Sequence, residues 1–185
     1  VIYPGINDFF WDVSVNDTPL VEGRYFFSVT THPSRKNIFN VLHAMAGSEY
    51  LRKYTYIIAG MISEVHRREL EILIKQLNLQ SQVKLYGYVS EEDLKNLYRH
   101  AAFFIYPSFY EGFGLPVIEA MASFCPVLSS DNSSLPEVNP NSEWMFGAVQ
   151  VDVMREAMER MVRLSEADLE ALKVKNRSFA EQFTW

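Results

Sequence analysis

Apolar residues in this chain come in short blocks, and the blocks alternate between two periods. RYFFSVT, YTYIIAG, VKLYG, AFFIYPS and PVLSS are compact runs rich in aromatic and β-branched residues. That length and composition suit strands buried on both faces. Their expected places are 25–29, 54–60, 83–87, a run ending at Pro107, and 126–130, with a sixth short strand within WMFGAV. Between them, apolar positions recur at helical spacing. NIFNVLHAMA, SEVHRRELEILIKQLN, SEEDLKNLYRHA and PVIEAMA read as helices, and two more follow over about 151–164 and 166–183. In the second helix Leu70, Leu73, Ile74 and Leu77 fall on one face.

Local signals support these boundaries. Ser90 with Asp93 and Ser165 with Asp168 have the spacing of a side chain that caps a helix start. Ser34 or Asn37 is available to cap the first helix, and Pro116 opens the fourth where proline is tolerated. No two-residue hairpin signal separates the strands. Alternating strands and helices predict an α/β domain, an open parallel sheet with helices on both faces, over residues 25–185. Residues 1–24, punctuated by Pro4, Gly5, Pro19 and Gly23, read as an interdomain segment whose Phe9, Phe10 and Trp11 pack on a neighbour.

Composition narrows the function. A formal charge of -6 removes the bulk electrostatic case for nucleic acid, which wants a basic surface. A single cysteine, Cys125, allows no internal disulfide and fits a reducing compartment, the cytoplasm. No apolar run approaches the length of a membrane span, and VIYPGINDFF lacks the pattern of a secretory signal. Both ends suggest a piece of a longer chain. There is no HExxH and no cysteine pair, and His32, His43, His66 and His100 show no ligand spacing, so no metal is expected.

Candidate chemistry gathers where strands end. In open α/β sheets the loops after the strands' C-termini line the ligand crevice. THPSRKN places two hydroxyls, His32 and the pair Arg35–Lys36 between a strand and a helix. Cations at a helix start oppose its dipole, a misfit that an anion lying between them would relieve; two solvated surface residues are the plainer reading. In YPSFYEGFGLPVIEAMA, Gly112 and Gly114 let the backbone turn tightly and approach a ligand, with Phe113 packing under the turn. Amides near 112–118 can then face the crevice and hold a phosphate. Glu119 is expected in the first helical turn, where a carboxylate either caps the helix or accepts hydrogen bonds from paired hydroxyls such as those of a ribose. Glu111 lies on the strand side of the turn. The two could also form an acid/base pair for glycoside hydrolysis. SSDNSSLPEV reads first as an ordinary polar turn, with Pro136 starting a short helix and Glu137 capping it or holding a neighbouring loop.

These blocks, in this order, resemble the C-terminal donor-binding domain of the large retaining glycosyltransferase family 4, whose architecture is called GT-B. The resemblance runs from YPGIN through FSVTTHPSRKN, YIIAG, the block from Val83 to Ala122 and PVLSSDNSSLPEV to SFAEQFTW. It implies a Rossmann-like half of a GT-B protein. It also implies a function: transfer of a hexose from a nucleoside-diphosphate sugar to a saccharide or lipid-linked acceptor. The family's signature of two glutamates separated by seven residues falls on Glu111 and Glu119. By resemblance Glu119 binds the ribose hydroxyls and Glu111 contacts the donor sugar. Gly112 and the amides of Phe113, Gly114 and Leu115 meet sugar or phosphate, and Lys36 neutralises the diphosphate, with Arg35 and Thr31 beside it. The family's scheme needs no cofactor or divalent metal. The style of YPGIN and SSLPEV points to GDP-mannose-type donors.

The chain departs from the family in three places. Thr30 and Thr31 stand where many members have glycine then arginine, so the second diphosphate cation is missing or comes from Arg35. Phe124 stands where many have a glycine at the helix end, and NPNSEWMF replaces a run of small residues. The family's acceptor site lies in an N-terminal domain that this chain is expected to lack, so the piece is expected to bind a nucleotide without transferring sugar by itself. The resemblance admits peripheral membrane association of the full-length protein. A non-catalytic interaction domain that kept the fold and lost the donor is the rival reading, and a phosphorylase of related architecture is a weaker third.

Overall fold

A computed structural model describes residues 4–12 and 18–184. Residues 1–3 and 13–17 of the expected interdomain segment, and Trp185 at the far end, lie outside the described residues. Among the described residues six strands form: β1 Tyr25–Val29, β2 Thr55–Ala59, β3 Val83–Leu85, β4 Phe103–Tyr106, β5 Val127–Ser130 and β6 Met145–Phe146. The helices are α1 Ile38–Ala46, α2 Glu64–Gln76, α3 Glu91–His100, α4 Leu115–Ala122, α5 Leu135–Val138, α6 Val151–Val162 and α7 Glu166–Ala180. The sheet order is β3-β2-β1-β4-β5-β6 and every pairing is parallel.

Alternation along the strands builds two cores. Phe26, Tyr56, Phe103 and Ile105 face α1, α2 and α6, whereas Phe27, Phe104 and Tyr106 face α3, α4 and the chain's C-terminus. Rings continue across strands: Phe26 stacks on Tyr56 and on Phe103, each at 4.8 Å, and Phe27 meets Phe104 at 5.0 Å on the other face. Each ring buries apolar area worth roughly 2–3 kcal/mol, and both faces of the sheet are covered, so residues pointing either way are buried. Residues 4–12 belong to the second core: Ile6 and Phe10 are buried, and the Ile6 amide donates to the Phe183 carbonyl at 2.9 Å.

Three details differ from the sequence-based expectations. Neither Ser34 nor Asn37 caps α1. Asn37 takes a left-handed conformation (φ 58), and its side-chain amide instead donates to the carbonyls of Pro107 (3.1 Å) and Ala148 (2.7 Å). The last helix stops at Ala180, and Glu181–Phe183 tighten into a 3-10 turn. Glu119 is the fifth residue of α4, because the helix begins at Leu115, so it lies beyond the first turn and has no capping role. The Ser90 and Ser165 hydroxyls do cap α3 and α7, each accepting from the amide three residues on at 3.1 Å.

Phe124 shows how the chain manages without the family's glycine. Its φ is 59, and the Cys125 amide bonds back to Ala120 O while the Phe124 amide bonds to Met121 O. This is a Schellman end, which favours glycine at the left-handed position. The strain is offset by packing: the Arg177 guanidinium sits 4.3 Å from the Phe124 ring centroid and also donates to the carbonyls of Ala122 and Trp11.

Candidate functional site

The chain leaves β1 toward one edge of the sheet and returns through β4 toward the other, so the loops after these central neighbours diverge. Ligand crevices form at such switch points. Here the loop 30–37 and the loop 107–114 face one another and are tied by a backbone bond, Phe109 N to Arg35 O at 3.0 Å.

Lys36, Arg35 and Glu111 converge in this crevice. One carboxylate oxygen of Glu111 lies 2.6 Å from Lys36 Nζ and 3.1 Å from an Arg35 guanidinium nitrogen. Arg35 thus lies beside Lys36 on the same carboxylate, and it also donates to Tyr110 O at 2.8 Å. Lys36 is 8% exposed, which removes the reading of two solvated surface cations, while Arg35 remains half-exposed. Nζ of Lys36 donates to the Tyr106 hydroxyl as well and lies 4.2 Å from that ring's centroid. Burial pushes the Glu111 carboxyl up, but the hydrogen bonds and charges of Lys36, with Ser108 and Arg35, outweigh it and hold the group below its ordinary value. Burial pulls the Lys36 ammonium down from its ordinary value, and Glu111 opposes that pull. The pair is ionised, with a carboxylate serving as counter-ion to two cations.

The turn between the signature glutamates is rigid on one side and open on the other. Gly114 has φ 113, and a Cβ there would lie 2.9 Å from Leu135 Cδ2 and 3.0 Å from Val138 Cγ2. A Cβ on Gly112 would meet nothing within 4 Å. Gly114→Ala is therefore expected to destabilise the fold by about 1–3 kcal/mol and Gly112→Ala to leave it nearly unchanged, as read from denaturant midpoints. Phe113 packs edge-on to Phe183 at 5.9 Å.

The serine-rich loop braces the turn, which an ordinary polar turn would not do. Ser133, left-handed at φ 51, accepts from the Glu111 amide at 3.0 Å, and the Ser134 hydroxyl donates to the Phe113 and Glu111 carbonyls at 2.9 and 3.2 Å. Pro136 does sit in the short α5, while Glu137 is exposed.

Glu119 occupies a different environment. It is half-buried on α4, with the Tyr98 hydroxyl of α3 donating to it at 3.4 Å. Burial pushes its carboxyl up to about 7, opposed by the Tyr98 hydrogen bond and assisted by Glu91. Tyr98 reads in the sequence as an inner-stripe core residue, and nothing in the pattern marks its hydroxyl.

Beside the cations lies a cavity of about 590 Å³. Val29, Thr30 and Thr31 form its wall on the β1 side, with Gly60, Met61, Tyr88, Val89 and Leu94 opposite. Thr31 is exposed, and Met61 and Tyr88 present apolar surface at 68% and 76% exposure. Both follow strand C-termini, the position that marks the other loops, but they carry no charge to draw notice. Gly60 allows the close approach of β2 to β1, since a Cβ there would overlap the Thr30 carbonyl.

The family model for glycosyl transferases group 1 matches residues 15–177. Over 163 residues the chain is 32% identical to O-antigen chain mannosyltransferase B of Escherichia coli, covering 87% of this chain and 42% of that protein. Over 164 residues it is 30% identical to O-antigen chain mannosyltransferase RfbU of Salmonella typhimurium, with 80% and 45% covered. It thus spans less than half the length of these curated relatives. Among solved structures, a glycosyltransferase from Rickettsia africae matches with TM-score 0.86 at 19% identity, covering 98% of this chain and 52% of that one. Sucrose-phosphate synthase from Thermosynechococcus elongatus matches with TM-score 0.80 at 24% identity, covering 99% and 46%. The likeness is one of fold, a Rossmann-like sheet forming one half of a GT-B architecture. With a family match over most of its length, running through both signature glutamates and the loops that carry them, the chain belongs to the glycosyl transferases group 1 family.

Proposed function

We propose that this chain is the nucleotide-sugar-binding half of a retaining glycosyltransferase of family 4. The whole protein moves a hexose, mannose foremost, from a nucleoside-diphosphate sugar to a saccharide or lipid-linked acceptor. The observation that supports this reading most is the convergence of Lys36 and Arg35 at the switch point on Glu111, the residue that opens the turn 112–114. The leaving group of sugar transfer is a nucleoside diphosphate that gains negative charge as the bond to the sugar breaks. Two fixed cations and the amides of Phe113, Gly114 and Leu115 would stabilise that charge, with no metal in the scheme.

The rest of the crevice divides by chemistry. The apolar cavity with Tyr88 and Met61 suits a flat base, and Thr31 lies on its wall. Glu119 suits the vicinal hydroxyls of the ribose. Glu111, ionised and next to both cations, suits the donor sugar at the reacting end. The printed names of the O-antigen relatives favour mannose, and the acceptor is assigned to the remainder of the longer protein. Cytoplasmic work fits the single buried cysteine, and no helix among the described residues is long and apolar enough to cross a membrane.

Calorimetric titration of the chain with GDP-, UDP- and ADP-sugars tests the proposal. One of the three is expected to bind at micromolar to millimolar dissociation constant, and Lys36→Ala to weaken it at least tenfold. Binding by none of them, in the chain or its full-length parent, would leave the non-catalytic interaction domain as the better reading.

A further inference from the structure

Lysine is a flexible point charge, and one that must meet a diphosphate needs something to hold its ammonium in place. In this crevice two groups hold Lys36. Glu111 does so at 2.6 Å, but the same oxygen also serves Arg35, and an arriving anion competes for both cations. Tyr106 is of a different kind. It is the last residue of β4, 1% exposed, paired in register with Ser129 of β5 and stacked on Phe104 at 5.7 Å. Its hydroxyl accepts a hydrogen bond from Nζ, and its ring faces the ammonium at 4.2 Å. It carries no charge for a phosphate to repel, and β4 and the packed ring hold it in place independently of its hydroxyl's hydrogen bond to Glu111.

The geometry points to Tyr106 as a positioning residue: its hydroxyl keeps the Lys36 ammonium at the mouth of the crevice when a diphosphate takes the place of Glu111. This rests on the donor-binding reading above. Burial first, then the Glu111 carboxylate, push the Tyr106 hydroxyl far above its ordinary value, so it stays a neutral acceptor at any working pH. The ammonium is the more vulnerable partner. Burial already pulls it down, and loss of an acceptor pulls it further.

Tyr106→Phe keeps the ring and removes the acceptor. The chain and this variant are titrated with GDP, UDP and ADP and with the matching nucleosides, from pH 6 to 10. For the diphosphate that the parent binds, the variant is expected to lose about tenfold in affinity, with nucleoside affinity changed by less than about twofold. The alkaline limb of diphosphate binding is expected to move to lower pH, because Lys36 loses its proton more easily. In a Lys36→Met background the same replacement is expected to add nothing, since the group it positions is gone. Equal losses for diphosphate and nucleoside, an unmoved alkaline limb, or full additivity with Lys36→Met would each reduce Tyr106 to core packing and overturn the inference. A parent chain that binds none of the three diphosphates would instead bring down the donor-binding reading itself, and this inference with it.

Discussion

Glu119→Gln is expected to make the fold more stable at pH 8 and to weaken nucleotide-sugar binding by roughly 10- to 100-fold. Both effects come from a carboxyl raised to about 7 in the folded state, chiefly by burial. In the unfolded chain the group titrates near 4.5. Between those values the folded protein holds a proton that the unfolded chain has released. The stability linked to that proton is complete below pH 4.5 and is lost as pH rises through 7. A shift of this size corresponds to a ceiling of about 3 kcal/mol, and solvent access to a half-buried group lowers that to about 1–2 kcal/mol. Glutamine carries no titrating proton, so the stability gap between variant and parent should be near zero at pH 4.5 and fully open by pH 8. Denaturant midpoints at the two pH values measure it.

Binding should move the opposite way. Two vicinal hydroxyls donate to a carboxylate better than to an amide, whose NH₂ group is a donor itself. Parent affinity is expected to rise by about tenfold from pH 5.5 to pH 8 as Glu119 ionises, and the variant's to stay flat. A gap that does not change with pH, or a variant that binds as well as the parent, would remove Glu119 from the ribose site.

Glu111→Gln should behave in the reverse sense. The carboxylate neutralises two cations, one of them buried. Removing it strands that charge, and breaking a buried pair typically costs about 3–5 kcal/mol. Arg35 is 42% exposed and can turn toward water, so about 2–3 kcal/mol is expected here. The folded carboxyl sits below its ordinary value, so its contribution is present above about pH 4.5 and fades as pH falls through the folded value. The variant's deficit should therefore shrink in acid.

A nucleoside diphosphate can serve as counter-ion in place of the missing carboxylate. It no longer competes with Glu111 for Lys36 and Arg35. The free diphosphate is expected to bind the variant several-fold more tightly than the parent, and saturating diphosphate to recover much of the lost stability. If Glu111 holds the donor sugar as proposed, the same change in the full-length protein should lower transfer by about 100-fold or more. Weaker diphosphate binding by the variant would mean that Glu111 supports the phosphate site rather than occupying it.

The alternation of strand and helix blocks carries the architecture in the sequence alone. Strands with apolar residues on both faces must be covered on both, and helices between successive strands force parallel order. Caps at Ser90 and Ser165 are local hydrogen bonds, so spacing is enough to find them. The places of Arg35, Lys36 and Glu111 are also legible, because loops after strand C-termini line the crevice whatever their content, whereas Glu119 sits deeper in α4 than its spacing from Pro116 suggests.

What the sequence leaves open is set by distances across the sheet. That Arg35 and Lys36 share one oxygen of Glu111 follows from β1 and β4 lying side by side, a pairing of residues 75 or more positions apart. The same pairing turns Tyr106 and Tyr98, core residues by pattern, into partners of Lys36 and Glu119. It also makes an unremarkable serine loop the brace of the signature turn. Asn37, Phe124 and Ser133 stand in left-handed positions where pattern alone would place a cap, a glycine or a free turn. Local physics determined which elements form and in what order they lie. The charge state of each carboxylate was decided by the tertiary structure, because burial and opposite charge act through space and two glutamates eight residues apart were packed into opposite environments.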